Sequence, residues 1–312
     1  MVKGRVLVLV GPTASGKTEV ARAIAGRRDS EIVSADSRQV YRFLTIGTAK
    51  PSPADLSAVP YHFIDIVDPD VPYSAGEFGR AGRAVIDGIL SRGRLPLVVG
   101  GSGLYIRSLI DGLFEGPGAQ PDVRGALERE LAENGVGALL EELRRVDPDV
   151  AGRISPTNPR RIIRALEVYR QTGTPLSVHQ REGKVETEFA PFFVGLRWER
   201  EELYRRIERR CDAMLERGLL EEARSLGERG YGPTLNALQT VGYAEAFRHL
   251  GGEITYDEMV RLFKQNSRRY AKRQMTWFNA DDRIRWVDCT PGDLPEPLGE
   301  RALTLFDGEP GT

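Results

Sequence analysis

The sequence contains few residues of the kinds that build disulfide frameworks or metal clusters. Its 312 residues include only two cysteines, Cys211 and Cys289, and three histidines that are scattered along the chain. The cysteines have no CxxC spacing and lie in polar sequence, unlike the cysteines of zinc sites and disulfide-rich scaffolds. We therefore expect neither a disulfide framework nor a zinc site nor a histidine-rich metal centre.

Long apolar runs and a net charge are also lacking. The longest apolar segments, such as VLVLV at 6–10, are far too short to cross a bilayer. With 44 basic and 45 acidic residues the formal net charge is −1, so any basic surface for a nucleic acid must be local. We expect a cytoplasmic globular protein that does not enter the membrane, with a monomer as the default state.

Short runs of β-forming residues recur along the chain and end in glycine or polar residues. They are RVLVLVG (5–11), EIVSAD (31–36), HFIDIVD (62–68), LPLVVGG (95–101), FFVGLRW (192–198) and IRWVDC (284–289). Near-continuous apolar strands that alternate with helical segments predict an α/β fold, with a mostly parallel sheet covered by helices on both faces. Ser74 followed by Glu77 forms a capping box, which predicts a helix at about 75–92.

The regular spacing of strands breaks down after residue 112, where glycine and proline punctuate the chain. The segment that follows predicts helices at about 122–134, 136–146 and 159–172, the last closed by Gly173. We therefore divide the chain into a core domain, 1–118 with 190–312, and a helical insertion domain, 119–189. Within the core, the pattern is helical again from about 199 to 280, with a loop near 230–235.

The segment GPTASGKT at 11–18 fits the phosphate-binding pattern G-x-x-x-x-G-K-[ST] at every fixed position. It follows a predicted strand and opens a predicted helix, the context in which backbone amides cradle phosphates. Lys17 adds a positive charge over the phosphates, and the Thr18 hydroxyl can ligate Mg²⁺. The predicted diphosphate-binding residues of this loop are Gly11, Pro12, Thr13, Ala14, Ser15, Gly16, Lys17 and Thr18.

Asp36 stands at the end of the second predicted strand. Because ligands of open α/β sheets bind outside the carboxyl ends of the strands, Asp36 is expected beside the phosphate loop and facing its ligand. The same carboxylate could cap a turn, and its position alone leaves both interpretations open. The fourth predicted strand ends in VVGGSG at 98–103, without the Asp that a kinase or NTPase would normally carry there, which argues against an ATPase.

Further segments carry a more specific pattern. They are DSRQVYRFLTIGTAKP (36–51), GGSGLYIRSLIDGL (100–113), NPRRIIRALEVYRQTG (158–173), VGYAEAF (241–247) and YAKRQMTWF (270–278). Together with the phosphate loop they closely resemble the tRNA dimethylallyltransferases, also called tRNA isopentenyltransferases, over residues 6 to about 289. The phosphate loop is common to many proteins, whereas the 36–51 block in register after it is highly specific.

The resemblance implies a P-loop NTPase-like fold and a prenyl transfer to tRNA. In that reaction the dimethylallyl group of dimethylallyl diphosphate passes to N6 of the adenine at position 37, beside the anticodon, in tRNAs that read codons beginning with U. Asp36 matches the family's general base, while Lys17 and Ser102 match catalytic positions and Thr18 a Mg²⁺ ligand. Arg210 matches a diphosphate-binding arginine, although a solvated helix charge is the alternative for this residue.

The resemblance also implies contacts with the tRNA anticodon stem-loop. The matching positions are Asp36, Ser37, Arg38, Gln39 and Ser102 near the target nucleotide, Arg124 beside the extruded base, and Arg160, Arg161, Ile162, Ile163 and Arg164 on the insertion. Ser102 stands where many relatives have threonine, an exchange that keeps the hydroxyl.

Residues 261–273 contain six Lys or Arg and no acid. The helical spacing of Arg261, Lys264, Arg268 and Lys272 predicts one basic face for phosphate contact, and Arg273 ends the same segment. The aromatic residues Phe263, Tyr270 and Trp277 recur every seven residues, and we expect them to pack in the core rather than to stack on bases.

Three other functions compete with prenyl transfer to tRNA. They are a small-molecule P-loop kinase, in which Asp36 would accept a proton from a hydroxyl, an isopentenyltransferase for free adenine nucleotides, and a non-enzymatic P-loop RNA-binding module. The two enzymes would need neither the basic segment at 261–273 nor the arginines of the insertion. The binding module would have no use for a general base at position 36.

Overall fold

In the computed structural model, which describes residues 3–113, 120–182 and 187–308, the chain forms two compact units. The first comprises Met1–Ile110 with Thr187–Thr312, and the second Asp111–Glu186. The predicted start of the insertion at 119 lies outside the described residues. The described helices contain no segment long and apolar enough to cross a membrane.

A six-stranded sheet forms the centre of the first unit. Its strands are β1 Arg5–Val10, β2 Ser30–Ala35, β3 Tyr61–His62, β4 Leu95–Gly100, β5 Ala190–Trp198 and β6 Arg285–Cys289. All neighbours pair in parallel, in the spatial order β3-β2-β4-β1-β5-β6. The third strand is far shorter than the predicted 62–68, because Phe63 and Asp65 take positive φ of 67° and 54° and cannot continue a strand.

Helices occupy the connections between the strands. In chain order they are α1 Lys17–Ala25, α2 Pro53–Ala58, α3 Ala75–Ser91, α4 Gly103–Ile110, α5 Pro121–Val146, α6 Pro148–Ala151, α7 Pro159–Thr172, α8 Leu176–Glu182, α9 Arg200–Glu216, α10 Leu219–Glu228, α11 Tyr243–Leu250, α12 Tyr256–Phe278 and α13 Pro295–Gly308. The predicted capping box opens α3: Glu77 N donates to Ser74 Oγ (3.1 Å), and Ser74 N donates to Glu77 Oε2 (2.7 Å).

The sheet carries helices on both faces, as the sequence predicted. Helices α1 and α3 each pack on β2 and β4, with α13 against α1 and α4 against α3. Residues 6–10 of β1 are completely buried between the neighbouring strands β4 and β5. That position explains their continuous apolar run, since a central parallel strand has no face in water.

Helices are the only regular elements in the described part of the second unit, which has a core of its own that includes Leu127, Leu143 and Leu166. Helix α5 is broken at Gly135, whose φ of 76° and ψ of 170° are not helical, and the two parts match the predicted helices at 122–134 and 136–146. Helix α7 ends at Gly173, whose φ is 71°. The short helix α8 was not predicted.

A buried carboxylate ties together the amino-terminal ends of two strands and the end of α3. Glu31 is 3% exposed and accepts hydrogen bonds from Arg92 Nε (2.9 Å) and from Arg94 Nη1 (3.3 Å). His62 Nε2 lies 2.8 Å from its other oxygen. The Arg92 hydrogen bond, reinforced by those of His62 and Arg94, lowers the pKa of Glu31 to about 2.

We expect Glu31→Gln to lower the free energy of unfolding by about 3 kcal/mol at pH 7, because the charge that its partners share is lost. The pKa of Glu31 in the folded protein lies below its ordinary value of 4.5, so the stabilisation is present above about pH 4.5 and is lost as the pH falls toward 2. Urea unfolding at pH 7 and pH 3 should therefore show a smaller difference between variant and wild type at pH 3. Equal differences would contradict this assignment, and Asp29→Asn, at an exposed partner of Arg94, is the matched control.

Candidate active site

The phosphate loop joins β1 to α1 and turns sharply, with positive φ at Ala14 (63°) and Gly16 (90°). Lys17 Nζ folds back over the loop and donates to the carbonyl oxygens of Gly11 (2.9 Å) and Pro12 (2.7 Å). Burial, with the nearby positive charge of Arg210, lowers the pKa of Lys17 to about 7. A second cation so close to this lysine is costly unless an anion lies between them.

Three side chains outside the motif hold the loop in place. Trp198 Nε1 donates to Ser15 O (2.9 Å), and Arg206 Nε donates to Ala14 O (2.9 Å). The buried side chain of Gln274 accepts a hydrogen bond from Thr13 N (2.8 Å) and donates to Gly101 O (2.9 Å). Gln274 thus connects the phosphate loop to the turn that follows β4. None of the three was predicted to have a role.

The glycines of GGSG allow this turn to pass close to its neighbours. A Cβ on Gly100 would lie 2.1 Å from the carbonyl oxygen of Ala35, and one on Gly103 would lie 2.3 Å from the Trp277 ring. In the sheet, β4 lies between β1 and β2. Asp36 nevertheless lines the same cavity as Lys17 and Thr18 of the phosphate loop, as its place at the end of β2 predicted.

Asp36 is partly buried and uses its two oxygens differently. Oδ1 accepts hydrogen bonds from Arg38 N (2.8 Å) and Gln39 N (3.3 Å), which caps the turn after β2. Within the described residues, Oδ2 accepts no hydrogen bond. The interpretation as a turn cap is therefore confirmed for Oδ1, and the interpretation as a group that faces a ligand stays a prediction for Oδ2.

Ser102 and Tyr270 accompany Asp36. Ser102 Oγ accepts a hydrogen bond from Ser37 N (3.1 Å) and is also hydrogen-bonded to the Tyr270 hydroxyl. Burial, together with the Asp36 charge, raises the pKa of Tyr270 to about 12, so this phenol remains a proton donor at neutral pH. Tyr270 therefore belongs to the site, which corrects the expectation that it packs only in the core. Phe263 is 3% exposed and does belong to the core.

Arg210 lies on α9 among several other arginines but differs from them. Arg205 and Arg209 both form ion pairs with Glu202, whereas within the described residues the Arg210 guanidinium forms no hydrogen bond and no ion pair. Arg210 is partly buried and lines both cavities, and burial lowers its pKa. This position favours a ligand contact over a solvated helix charge, and the contact with diphosphate stays a prediction.

Two cavities adjoin at these residues. The smaller, of about 90 Å³, borders the phosphate loop and is lined by residues including Lys17, Thr18 and Gln274. The larger, of about 310 Å³, has an apolar wall formed by Ile207, Cys211, Met214, Val241 and Phe263. Both are lined by Thr13, Asp36, Thr48, Arg210 and Tyr270. A ligand with a charged head and a short apolar tail matches this pair of cavities.

A single carboxylate organises the loop that carries the IGTAKP sequence. Glu222 on α10 accepts hydrogen bonds from the backbone amides of Thr45 (3.1 Å), Ile46 (2.9 Å) and Gly47 (3.2 Å), and from the Tyr243 hydroxyl. A Cβ on Gly47 would lie 2.5 Å from the Tyr243 ring. The IGTAKP and VGYAEAF segments therefore form one wall of the larger cavity, although they lie about 190 residues apart in sequence.

Gln39, predicted to contact the target nucleotide, uses its side chain within the protein. Its amide nitrogen donates to the carbonyl oxygens of Thr48 and Ala49 (both 3.2 Å), and its oxygen accepts from Ser34 Oγ (2.9 Å). These bonds hold the IGTAKP loop against the end of β2. Ser37 and Arg38, by contrast, line the larger cavity, as does Arg273.

The predicted basic face of α12 is largely neutralised. Arg261 pairs with Glu258, Lys264 with Asp212 (2.6 Å) and Arg268 with Glu208 (2.6 Å). The acids come from α9 and from the start of α12 itself, both outside the acid-free window, so the positive charge of the predicted face is reduced at these three residues. Its contact with phosphate stays a prediction. Lys272 and Arg273 are exposed, and the structure shows no ion pair for them within the described residues.

Unit two carries the remaining predicted tRNA contacts. Arg160 and Arg161 are exposed at the start of α7, whereas Arg164 pairs with the buried Glu167 (2.8 Å). Arg124 forms an exposed pair with Glu128 (3.1 Å). Ile162 and Ile163 are 0% and 5% exposed in the core of this unit, so their side chains cannot reach RNA, which corrects that part of the predicted range.

The described residues could supply only part of the ligands of a Mg²⁺ ion. Thr18 lines the smaller cavity, and within the described residues its hydroxyl has no hydrogen-bond partner. Across the same residues no cluster of three or more His, Cys, Asp or Glu could enclose a metal. A Mg²⁺ here would need diphosphate oxygens and waters as its other ligands, which is how this ion commonly binds.

Comparisons with known proteins indicate one family for this chain. The family model described as IPP transferase matches residues 39–281, and the one described as isopentenyl transferase matches 4–68. The chain is 50% identical to tRNA dimethylallyltransferase 1 of Pelobacter propionicus (91% of this chain, 92% of the relative) and 51% identical to tRNA dimethylallyltransferase 2 of Geotalea uraniireducens (92% and 93%).

Solved structures give the same result. The structure resembles the crystal structure of the tRNA isopentenylpyrophosphate transferase from Bacillus halodurans with a TM-score of 0.72 at 39% identity (97% of this chain, 96% of the other). It also resembles a eukaryotic dimethylallyltransferase that was captured acting on tRNA, with a TM-score of 0.83 at 26% identity (99% and 81%).

Proposed function

The chain belongs to the tRNA dimethylallyltransferase family, and from this premise we propose that it prenylates N6 of the adenine at position 37 of tRNA. Dimethylallyl diphosphate is the proposed donor, and tRNAs that read codons beginning with U are the proposed acceptors. The observation that carries the proposal is the pair of partly buried cations, Lys17 and Arg210, on the same cavity as Asp36. The pair supports a diphosphate site beside a base.

The donor fits the adjoining cavities by its chemistry. The amides of the phosphate loop, Lys17 and Arg210 would hold the diphosphate, while the apolar wall that includes Met214 and Phe263 would receive the dimethylallyl tail. Mg²⁺ bound to Thr18, waters and diphosphate oxygens would neutralise part of the charge on the leaving group. The cations of the chain itself act on the same charge, because it grows on the diphosphate as the C–O bond breaks.

The acceptor chemistry needs a base near the adenine amine. The lone pair of N6 is delocalised into the ring, so the amine attacks C1 of the dimethylallyl group more readily if its proton leaves as the C–N bond forms. Asp36 Oδ2 would take that proton, and the C–O electron pair would leave with the diphosphate. Ser102 and Tyr270, hydrogen-bonded to each other beside Asp36, would position the adenine edge.

An assay of acceptors tests this function against its competitors. The purified protein is incubated with Mg²⁺ and labelled dimethylallyl diphosphate, with unmodified tRNA, AMP or ATP plus a small alcohol supplied as alternative substrates. We expect the label to enter tRNA. Prenylation of AMP without tRNA labelling, or phosphorylation of the alcohol, would refute the proposal. We also propose that the enzyme acts as a monomer, in the cytoplasm.

The exposed arginines of unit two provide a second test. Replacing Arg160 and Arg161 by Ala should raise the KM for tRNA by about tenfold at low salt and reduce the slope of log Kd against log salt by about 1.5, because two phosphate contacts are lost. The kcat should change little. Arg144→Ala is the control, since Arg144 is exposed on the same unit but paired with Glu141. An unchanged salt slope in the double variant would remove unit two from the tRNA contact.

A further inference from the structure

A pair of aromatic residues, one exposed and one partly buried, lies on two loops that also contribute to the larger cavity. The Phe43 ring stacks on Tyr231, with ring centroids 6.2 Å apart and an angle of 24° between the planes. The Arg229 guanidinium lies 4.7 Å from the centroid of the Phe43 ring. Phe43 is nevertheless 40% exposed. We call Phe43, Tyr231 and Arg229 the Phe43 platform.

The backbone at Phe43 is strained for a bulky residue. Its φ is 68°, in the left-handed region that side chains with a Cβ rarely adopt. The chain has to turn here, because Arg42 N donates to Val67 O (2.8 Å) on one side and Leu44 is completely buried on the other. Glycine would make the same turn without strain. The aromatic ring is therefore not required by the turn, and its exposure shows that the core does not require it either. Strained positions of this kind cluster at functional sites.

The platform is connected to the cavity through both of its loops. The loop of Phe43 supplies Arg38 and Thr48 to the lining of the larger cavity, and the loop of Tyr231 supplies Val241. Arg38 Nη1 donates to Asn236 O (2.6 Å), which links the two loops. A substrate whose reactive group occupies the larger cavity would therefore extend along these loops.

Charge and ring chemistry together indicate which ligand the platform suits. Within the described residues, Arg229 and Arg38 form no ion pair with an acid, so both guanidinium groups remain available to an anion. An exposed ring flanked by unpaired arginine is the combination on which unpaired bases stack while their phosphates meet positive charge. A protein partner would need a wider apolar surface for binding than one aromatic ring offers, so the platform suits a nucleotide better than a protein.

We propose that the Phe43 platform stacks an unpaired nucleotide of the tRNA anticodon loop, next to the adenine that enters the cavity. The inference rests on the proposed function in naming tRNA as the ligand. It adds a site on the core that reads the loop around the target rather than the target itself.

Phe43→Gly tests the platform, because we expect it to weaken RNA binding without lowering the stability of the fold. Binding of a fluorescently labelled, unmodified anticodon stem-loop RNA is measured by anisotropy, and we expect its Kd to rise about tenfold. The melting temperature should stay the same or rise, since glycine relieves the positive φ. Tyr256→Ala is the control: Tyr256 is an exposed ring (47%) packed on His249, and it lines neither cavity.

Several results would overturn the platform. They are an unchanged Kd for Phe43→Gly, an equal loss in Tyr256→Ala, or a change in oligomeric state with RNA binding intact, which would make this surface a contact between copies of the chain. Prenyl transfer is measured separately on the same samples. Binding that depends on Phe43 without any prenyl product in the wild type would refute the proposed function and leave the platform standing.

Discussion

Asp36→Asn is expected to slow the chemical step by about 10²- to 10⁴-fold, the usual contribution of a general base. The amide keeps the oxygen that accepts hydrogen bonds from Arg38 N and Gln39 N, so the turn after β2 should survive. What it loses is the capacity to accept the amine proton. The rate is measured in a single turnover, with enzyme in excess over tRNA and saturating dimethylallyl diphosphate.

Two further measurements make this result specific. The Kd for tRNA should remain within about threefold of the wild-type value, since Asp36 is assigned to chemistry more than to affinity. Asp36→Ala removes the turn cap as well, so it should add a loss of stability that Asp36→Asn does not show. A variant Asp36→Asn with an intact single-turnover rate but no tRNA binding would show that the base is elsewhere.

Arg210→Gln is expected to lower kcat/KM for dimethylallyl diphosphate by about 10²- to 10³-fold, as expected for a group that stabilises the leaving diphosphate. The thermal stability of the unliganded protein should stay the same or rise, because a partly buried cation without a partner in the described residues is removed. The combination of greater stability and lower activity is typical of a binding residue.

Arg209→Gln is the matched control for this prediction. Arg209 precedes Arg210 on α9, but it is exposed and pairs with Glu202 (3.1 Å). Its replacement should leave kcat/KM within about twofold and change stability by less than about 1 kcal/mol. A similar loss of activity in both variants would indicate a general effect of charge on α9 rather than a diphosphate contact at Arg210.

The sequence predicted the sheet and the phosphate loop because both depend on local patterns. Continuous apolar runs mark parallel strands wherever they lie in the fold, and a glycine-rich turn between strand and helix carries its function in its own backbone. The third strand was overestimated because Phe63 and Asp65 adopt positive φ, which no local pattern of these residues signals.

The basic face of α12 shows where local reasoning failed. Counting charges within 261–273 found no acid, but the acids that neutralise this face include Asp212 and Glu208 on α9, more than fifty residues away in sequence. Such pairing depends on which helices pack together. The charge of a surface therefore cannot be read from one segment of sequence.

The roles of Gln274 and Glu222 were missed for the same reason. Each uses one side chain to satisfy backbone groups of a distant loop, and the helical spacing around them gives no sign of this. The family resemblance did contain a signal, because both YAKRQMTWF and VGYAEAF lie beside these contacts. This signal can be interpreted only with the structure, in which the Tyr243 ring packs against Gly47 of the IGTAKP loop.

The position of the new C–N bond is the most direct test of the proposed reaction. An unmodified tRNA with adenines at positions 36, 37 and 38 is treated with the wild-type protein, Mg²⁺ and dimethylallyl diphosphate, digested with a nuclease and analysed by mass spectrometry. The anticodon-loop fragment should gain one dimethylallyl group, on N6 of the adenine at position 37 alone. A mass gain at another nucleotide, or none while the donor is consumed, would contradict the proposed function.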